Sequence, residues 1–521
     1  MHSNILWLAT GEMPDRAPLS ADTRADVCVI GAGIAGLSCA YLLAREGRSV
    51  VVLDHGRVAG GETRHTTAHL SNAMDDRFTK LEKLHGRDGA RLASESHAAA
   101  ITRIEAIVAE EDIACDFDRV DGYLFAAPGR PTAVLSRELA AARRAKVDVE
   151  MVARAPIDGF DTGPCLRFPR QGQFHPVKYL HGLAIAFERF GGRIFCGTHV
   201  TGVHGGAEAE ILTADGPVVR AHAAIVATNS PINNRFALHT RQVPYRTFVI
   251  GAMVPKHAVT KALFWDDCDP YRYVRLEGLV DTTLDCDVLV VGGEDERTGR
   301  VRDDEARYAR LEGWARARWP VMGEVKFRWS GQVYEPADGL AFIGRNPMDA
   351  DNIYVVTGDS GQGMTHGTIA GMLLTDLVCG RSNPWTKLYD PARVRLASAG
   401  EYARDTLGTA AQYADWLTPG EAGGVDAIRP GEGAVVRRGL QKLAAFKDED
   451  GVLHVRSATC THLGCVVAWN RSDRSWECPC HGSRFDRYGK VINGPATTDL
   501  ASADPPEPEA VPVSKKVLEP A

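Results

Sequence analysis

The sequence predicts an α/β chain with an antiparallel sheet woven into it and a small all-β domain at its C-terminal end. Three observations carry this. Ala25-Asp-Val-Cys-Val-Ile30 and Ser49-Val-Val-Val-Leu53 are short apolar runs that flank a glycine turn and a helical stretch, 37–46, stopped by Gly47. Residues 240–340 are rich in aromatic and β-branched residues with turn signals between them, the pattern of antiparallel strands. From Ile428 onward the pattern changes to short strands separated by glycine turns.

The intervening segments follow in order. Residues 75–150 read as mostly helical, and 190–228 as short strands and turns ending in the apolar run Ala223-Ala-Ile-Val-Ala227. Asn352-Ile-Tyr-Val-Val-Thr357 is a strand, followed by a glycine-rich turn and a helix over 363–379. Residues 383–425 read as a helix and a linker ending in Thr418-Pro-Gly-Glu-Ala-Gly-Gly424. The tail from 504, rich in Pro and Glu, is expected to be flexible.

Composition narrows the function classes. A chain of 521 residues, 44% hydrophobic and 24% charged, has room for two to four ordinary cores. With 60 Lys and Arg against 67 Asp and Glu, the net charge is −7, and the basic residues are scattered. No phosphate-binding footprint is present, so nucleic acid is not expected as a partner. The N-terminal apolar run has no basic segment before it, and no stretch reaches the ~18 apolar residues of a membrane span. A cytoplasmic enzyme without a membrane span is the expectation. Of twelve cysteines, four fall between 460 and 480; the others are scattered, as buried small hydrophobes are.

The turn Gly31-Ala-Gly-Ile-Ala-Gly36 lies between a strand and a helix, with Asp54 eighteen residues beyond its last glycine, at the end of the second strand. In this Rossmann-like context Gly31 permits the tight turn, Gly33 lets backbone approach a pyrophosphate, Gly36 lets helix and strand pack, and Asp54 accepts from a ribose hydroxyl. The helix N-terminus offers unpaired N–H donors to the phosphates. A glycine turn without a ligand is the competing reading, and the strand, helix and acid in register argue against it.

Further along come Gly60-Gly-Glu-Thr-Arg-His-Thr-Thr-Ala-His69, Gln173-Phe-His-Pro176, Ala227-Thr228, Trp329-Ser-Gly-Gln-Val-Tyr-Glu-Pro-Ala-Asp338 before Phe342-Ile-Gly344, and Gly358-Asp-Ser-Gly-Gln-Gly-Met-Thr365. In this order they resemble the FAD-dependent oxidoreductases of the D-amino-acid-oxidase/glycine-oxidase (DAO) family over most of 25–380. Within that family, the chain is similar to a bacterial subgroup with a C-terminal Rieske domain. The resemblance implies an FAD-binding Rossmann-like domain with an antiparallel-sheet substrate domain. It divides the chain into an oxidoreductase part, 1–395, a helix and linker, 396–427, a Rieske domain, 428–503, and the tail, 504–521. Inside the first part, about 25–75, 150–230 and 340–380 would hold FAD, and 76–149 and 231–339 would hold substrate.

It also implies the cofactor contacts. Besides the residues named above, they are Ile34, Ala35, Thr63, Thr66, Thr67, Val200, Ala227, Gly358, Gly361, Gly363, Met364 and Thr365. The helix after Gly358–Thr365 would face the flavin with its positive end. His65 falls near the residue that some relatives link covalently to flavin; a buried, hydrogen-bonded histidine is the alternative. Several members clamp a substrate carboxylate with a basic residue where this chain has Gln332 and Thr365. The carboxylate clamp is therefore missing from both places, and the catalytic residues stay unassigned. Gln332, Thr365, Arg246 and Tyr245 are the pocket candidates, with Tyr271 and Tyr273 as further sheet residues.

Near the C-terminal end, Cys460-Thr-His462 and Cys478-Pro-Cys-His481 give C-x-H, fifteen residues, then C-x-x-H. Two thiolates on one iron and two imidazoles on the other make a Rieske-type [2Fe–2S] cluster. A zinc site of the same residue types would not need Cys465, Cys480, the Gly482-Ser483 that follows, or the later Asn493-Gly-Pro495 turn. Similarity to the Rieske proteins of cytochrome bc-type complexes implies a Cys465–Cys480 disulfide, with two free packed cysteines as the alternative. It also puts Ser483 at a hydroxyl donor to a bridging sulfide. A Rieske oxygenase would place a mononuclear iron site after the cluster domain. Only forty residues and no histidine follow His481, which excludes it.

The expected activity is a dehydrogenase. A small amine or amino-acid-like substrate reduces FAD, and the electrons leave through an exposed His462/His481 edge to an external one-electron acceptor, a protein or quinone-like molecule. Electron flow in the opposite direction and a non-catalytic redox module are the alternatives.

Phe485 stands where the bc-type proteins often have a tyrosine that donates to a cysteine sulfur. A missing donor leaves cluster charge less stabilised, so the midpoint potential should lie below that of those proteins, within roughly −150 to +300 mV. Redox titration of Phe485→Tyr should give a higher potential than the parent; an equal or lower one refutes the argument.

Overall fold

The computed structural model describes residues 4–233, 238–279, 286–300, 303–395, 400, 408 and 412–503. The expected tail, and residues 396–399, 401–407 and 409–411 of the expected linker, lie outside them. Thr23–Ile30 is the centre of the first sheet, parallel to Val50–Leu53 on one side and to Val218–Val226 on the other. Arg193–Phe195 and Ile353–Thr357 continue it in parallel, and Phe342–Arg345 closes one edge antiparallel. Strands covered on both faces need apolar residues at every position, which is why Val50–Leu53 is buried throughout. Helices Ile34–Arg45 and Gly363–Val378 press together: a Cβ on Gly371 would meet Ser38 backbone at 2.9 Å.

The second sheet runs in the order Val325–Pro336, Gln242–Pro255, Cys286–Arg297, Arg272–Gly278, Leu263–Asp266, Asp118–Phe125, Cys165–Gln173, His69–Leu70. Its pairs are antiparallel except that between Leu263–Asp266 and Asp118–Phe125. Helix Asp304–Arg316 buries Tyr308, Leu311 and Ala315 against it.

Two local readings change. Residues 75–150 hold the helices Arg77–Glu110 and Ala133–Arg144, but Asp118–Phe125 between them is a strand. Its charges hide the alternation, yet Val120, Gly122 and Leu124 are buried while their neighbours Asp121 and Tyr123 are less so. Glu150–Val152 and Cys165–Gln173 also join the antiparallel sheet, although both lie in the stretch expected to hold FAD.

The C-terminal region is all-β, as expected. Gly433–Arg438, Gln441–Lys447 and Leu453–Ser457 form one antiparallel sheet; Ala468–Asn470, Ser475–Glu477, Arg484–Asp486 and Val491–Asn493 form another. It is fastened to the rest of the chain by buried charge. Arg246 is fully buried, with Nη1 donating to Glu477 Oε1 at 2.6 Å and Nη2 to Asp473 and Ser330. Arg484 donates to Asp473 Oδ2 at 2.9 Å and to Glu62 Oε1 at 3.1 Å. Arg246, a pocket candidate by sequence, is therefore an interface residue, because the second sheet turns it toward the small domain and away from the cavity. Burial alone would raise Asp473, but Arg246 and Arg484 hold its carboxyl below the usual range.

Removing one partner of a buried ion pair costs about 3–5 kcal/mol, because the remaining charge is left unpaired. Arg246→Met should lower the melting temperature measurably, and Arg246→Met with Glu477→Gln should recover part of the loss. Equal melting temperatures for parent and Arg246→Met would refute the role of this network.

Candidate active site and metal centre

A cavity of about 240 Å³ runs between the two sheets and is closed on one side by the small domain. The fingerprint forms one end. Gly31 has φ +104°, and a Cβ there would lie 2.4 Å from Ala227 O, so the turn requires glycine. A Cβ on Gly36 would collide with Gly31 O, which explains why Gly36 packs the turn and does not line the cavity. Gly33 lines the cavity and is open on that side, with only Thr63 Oγ1 near, at 3.0 Å. Ile34 and Ala35 follow, and Ile34 N donates to Thr63 Oγ1. Asp54 accepts from Ala32 N and Gly56 N, both at 2.7 Å, which fixes its carboxylate at the cavity wall. Val200 and Ala227 line the same end.

Thr66 and Thr67 line the middle, and their loop is propped from behind. Trp7 Nε1 donates to Thr66 O at 2.6 Å. Arg275, fully buried, donates from Nη1 to Thr67 O, Ala68 O and Phe174 O. Burial pushes Arg275 down to about 9. Neither residue was legible as a site residue: Trp7 sits in the N-terminal run, and Arg275 among alternating strand positions.

Gly358, Gly361, Gly363, Met364 and Thr365 form the opposite wall, at the start of the helix Gly363–Val378. Thr365 reaches the cavity but its hydroxyl is 2.8 Å from His97 Nδ1, so it is engaged inside the protein. Gln332 lines the cavity, whereas Tyr245 does not; its strand position turns it toward Arg297. Tyr271 and Tyr273 do line it. His65 also faces the cavity, its Nδ1 buried without a hydrogen-bond partner, and burial holds it down to about 4. The glycine cradle, the open face at Gly33 and the fixed Asp54 suit a dinucleotide.

The second centre lies across Gln332. Cys460 and Cys478 are buried, and the rings of His462 and His481 are 5.1 Å apart between centroids. His481 Nδ1 is buried with no hydrogen-bond partner. Cys465, Cys478 and Cys480 also lie close enough to hold a metal. Cys465 and Cys480, however, are joined in a disulfide, which leaves two thiols and two imidazoles as the donor set. The sulfur pair, the imidazole pair and the orphaned nitrogen suit a [2Fe–2S] cluster. Ser483 Oγ accepts from Ala496 N at 3.0 Å, and Phe485 is buried in the core of the small domain.

The histidine edge is less exposed than expected: His462 is half-buried and His481 is buried. His481 is 5% exposed, and His239 packs against both rings, 4.9 Å from His462 and 6.1 Å from His481 between centroids. The edge is turned inward because Gly482 and Asn493 of the cluster loops dock on the second sheet: Gln332 Nε2 donates to Gly482 O at 2.9 Å, and Tyr334 Oη to His481 O at 3.1 Å.

Comparison with known proteins accords with this geometry. Residues 26–377 match the family FAD dependent oxidoreductase, and residues 419–504 match the Rieske [2Fe-2S] domain. The chain is 31% identical over 504 residues, 96% of it and 97% of the relative, to YhfW of Bacillus subtilis (strain 168), named for a Rieske 2Fe-2S iron-sulfur protein. Over 142 residues it is 39% identical to the cytochrome b6-f complex iron-sulfur subunit 1 of Cyanophora paradoxa, covering 26% of this chain and 54% of that one. Among solved structures, glycine oxidase from Geobacillus kaustophilus superposes with a TM-score of 0.60 at 17% identity, over 71% of this chain and 99% of that chain. No described helix is long and apolar enough to cross a membrane. FAD and a [2Fe–2S] cluster are the cofactors of this oxidoreductase, and the chain belongs to the FAD dependent oxidoreductase family, with a Rieske domain at its C-terminal end.

Proposed function

We propose that the chain is a dehydrogenase that oxidises a small amine or amino-acid-like substrate at its C–N bond and delivers the electrons to an external one-electron acceptor in the cytoplasm. FAD supplies two-electron chemistry at a carbon–nitrogen bond, and the cluster, ligated by Cys460, His462, Cys478 and His481, supplies a one-electron site. The observation that carries the reading is Gln332. It lines the cavity and donates to the carbonyl of Gly482, next to the ligand His481. Tyr334, two residues along the same strand, donates to the backbone carbonyl of His481. The buried ring of His481, with Tyr334 and Gln332 between it and the cavity, supports entry of electrons from the cavity side.

The chain's own residues do the binding. The fingerprint and Asp54 would hold the dinucleotide, while the loop at Thr66 and Thr67, braced by Trp7 and Arg275, would set the reacting ring against the second sheet. The small domain contributes Val491–Asn493 to the wall at that end of the cavity.

Gly33→Ala puts a methyl where only Thr63 Oγ1 is near, so the fold should persist while the dinucleotide is crowded out. Flavin content of the purified variant should fall about tenfold with an unchanged apoprotein melting temperature; full flavin content refutes the placement. Anaerobic mixing of the holoprotein with amines, amino acids and hydroxy acids should bleach the flavin first and then bring up the reduced-cluster EPR signal. Bleaching with a cluster that never reduces would refute the relay.

A further inference from the structure

Beyond the flavin end, the cavity is walled by the second sheet and by the residues that follow His69. Here the lining carries Asp75, Asp295 and Glu335, and the rings of Trp265, Tyr271 and Tyr273. Among the described residues, no lysine or arginine lines the cavity. The nearest cations are committed elsewhere: Arg307 to Glu296 at 2.6 Å, Lys80 to Asp76 at 2.8 Å, and Arg77 to the carbonyl of Asp266 at 3.1 Å.

The acids are held in place. Tyr271 Oη donates to Asp75 Oδ2 at 3.0 Å, and the hydroxyls of Thr247 and Tyr273 lie 2.7 Å apart beside Asp295. Asp295 Oδ1 is buried and has no hydrogen-bond partner. A buried carboxylate oxygen left without a partner is costly, more so when ionised. Burial and the neighbouring acids push Asp295 up to about 7 and Glu335 up to about 8, as expected of carboxylates lacking a cation. The tilted pair Tyr271 and Tyr273, 5.5 Å between centroids, adds ring faces that attract positive charge.

We infer that the substrate held here is a cationic amine without a carboxylate, its positive charge received by Asp75, Asp295 and Glu335 against Tyr271 and Tyr273. This rests on the amine oxidation proposed above and narrows it. An amino acid would bring its carboxylate into a cavity lined by acids, with no lysine or arginine in the lining to receive it. Gln332 and Thr365, where relatives have a basic residue, are consistent with the same choice, since neither carries charge.

The test uses calorimetric titration of the holoprotein at roughly pH 9, where buried carboxylates ionise and an alkylamine keeps its proton. Butylammonium chloride should bind and sodium butyrate should not. Asp295→Asn with Glu335→Gln should weaken butylammonium binding about tenfold or more while flavin content stays at the parental level; Glu335→Gln alone gives the same reading if the double variant does not fold. Butyrate binding as tightly as butylammonium, or variants with unchanged affinity, overturns the inference. Anaerobic reduction separates the two ideas. Faster bleaching by glycine, sarcosine or proline than by butylamine or putrescine overturns the cationic substrate and leaves amine oxidation standing. Butylammonium that binds, with no amine or amino acid bleaching the flavin, overturns the oxidation and leaves the cation site standing.

Discussion

The arrangement of both centres depends on one buried knot of charge. Asp473 receives Arg246 from the second sheet and Arg484 from its own domain, and Arg484 reaches on to Glu62 in the loop after the second parallel strand. Glu62 in turn accepts from the backbone N–H of Gln332 at 2.7 Å and from Asn493 Nδ2 at 3.3 Å. Three separate pieces of chain are tied at one carboxylate: the flavin-side loop, the sheet strand that carries Gln332 and Tyr334, and the third loop of the cluster domain. The cavity wall at Val491–Gly494 and the docking of Gly482 against Gln332 both follow from that tie.

The same knot explains why the cofactor cavity is not a property of the family fold alone. His55 Nε2 lies 3.0 Å from Ile492 O, and His199 Nε2 lies 2.7 Å from Thr497 O. These histidines stand at the Asp54 end of the cavity, so the small domain spans from there to Gln332. A dinucleotide placed along the fingerprint would therefore be covered by the cluster domain over part of its length.

Much of this was legible in the sequence because it rests on local rules. The strand–glycine–helix–strand unit, the all-β end and the C-x-H and C-x-x-H pairs each involve residues that are close in the chain or fixed by steric need, while the Cys465–Cys480 bridge was implied by the resemblance to bc-type Rieske proteins. What escaped was set by long-range register. Arg246 and Tyr245 are adjacent on one strand and neither side chain lines the cavity, whereas Thr247, at the register irregularity between Arg246 and Phe248, does. The pairing of Arg246 with Gln332 and of Phe248 with Ser330 across the sheet is a matter of register that no local motif encodes. Asp75, Asp295 and Glu335 come from three distant segments, and an acidic residue in a strand reads as surface until the sheet is assembled.

Buried ion networks are poor evidence for stability, since apolar residues of like volume often serve as well; their better-attested use is to fix register. That distinction matters here. A greasy interface would hold the small domain on the second sheet but would tolerate sliding by a residue. Arg246 tolerates none, because Glu477 and Asp473 must both meet one guanidinium while Arg484 meets Asp473 and Glu62. The register so fixed is the one that sets Gly482 over Gln332 and His481 over Tyr334. It also turns His481 inward, with His239 packed against both imidazole rings. The charge network is thus better understood as holding two redox sites at a fixed separation than as adding to the stability of the fold.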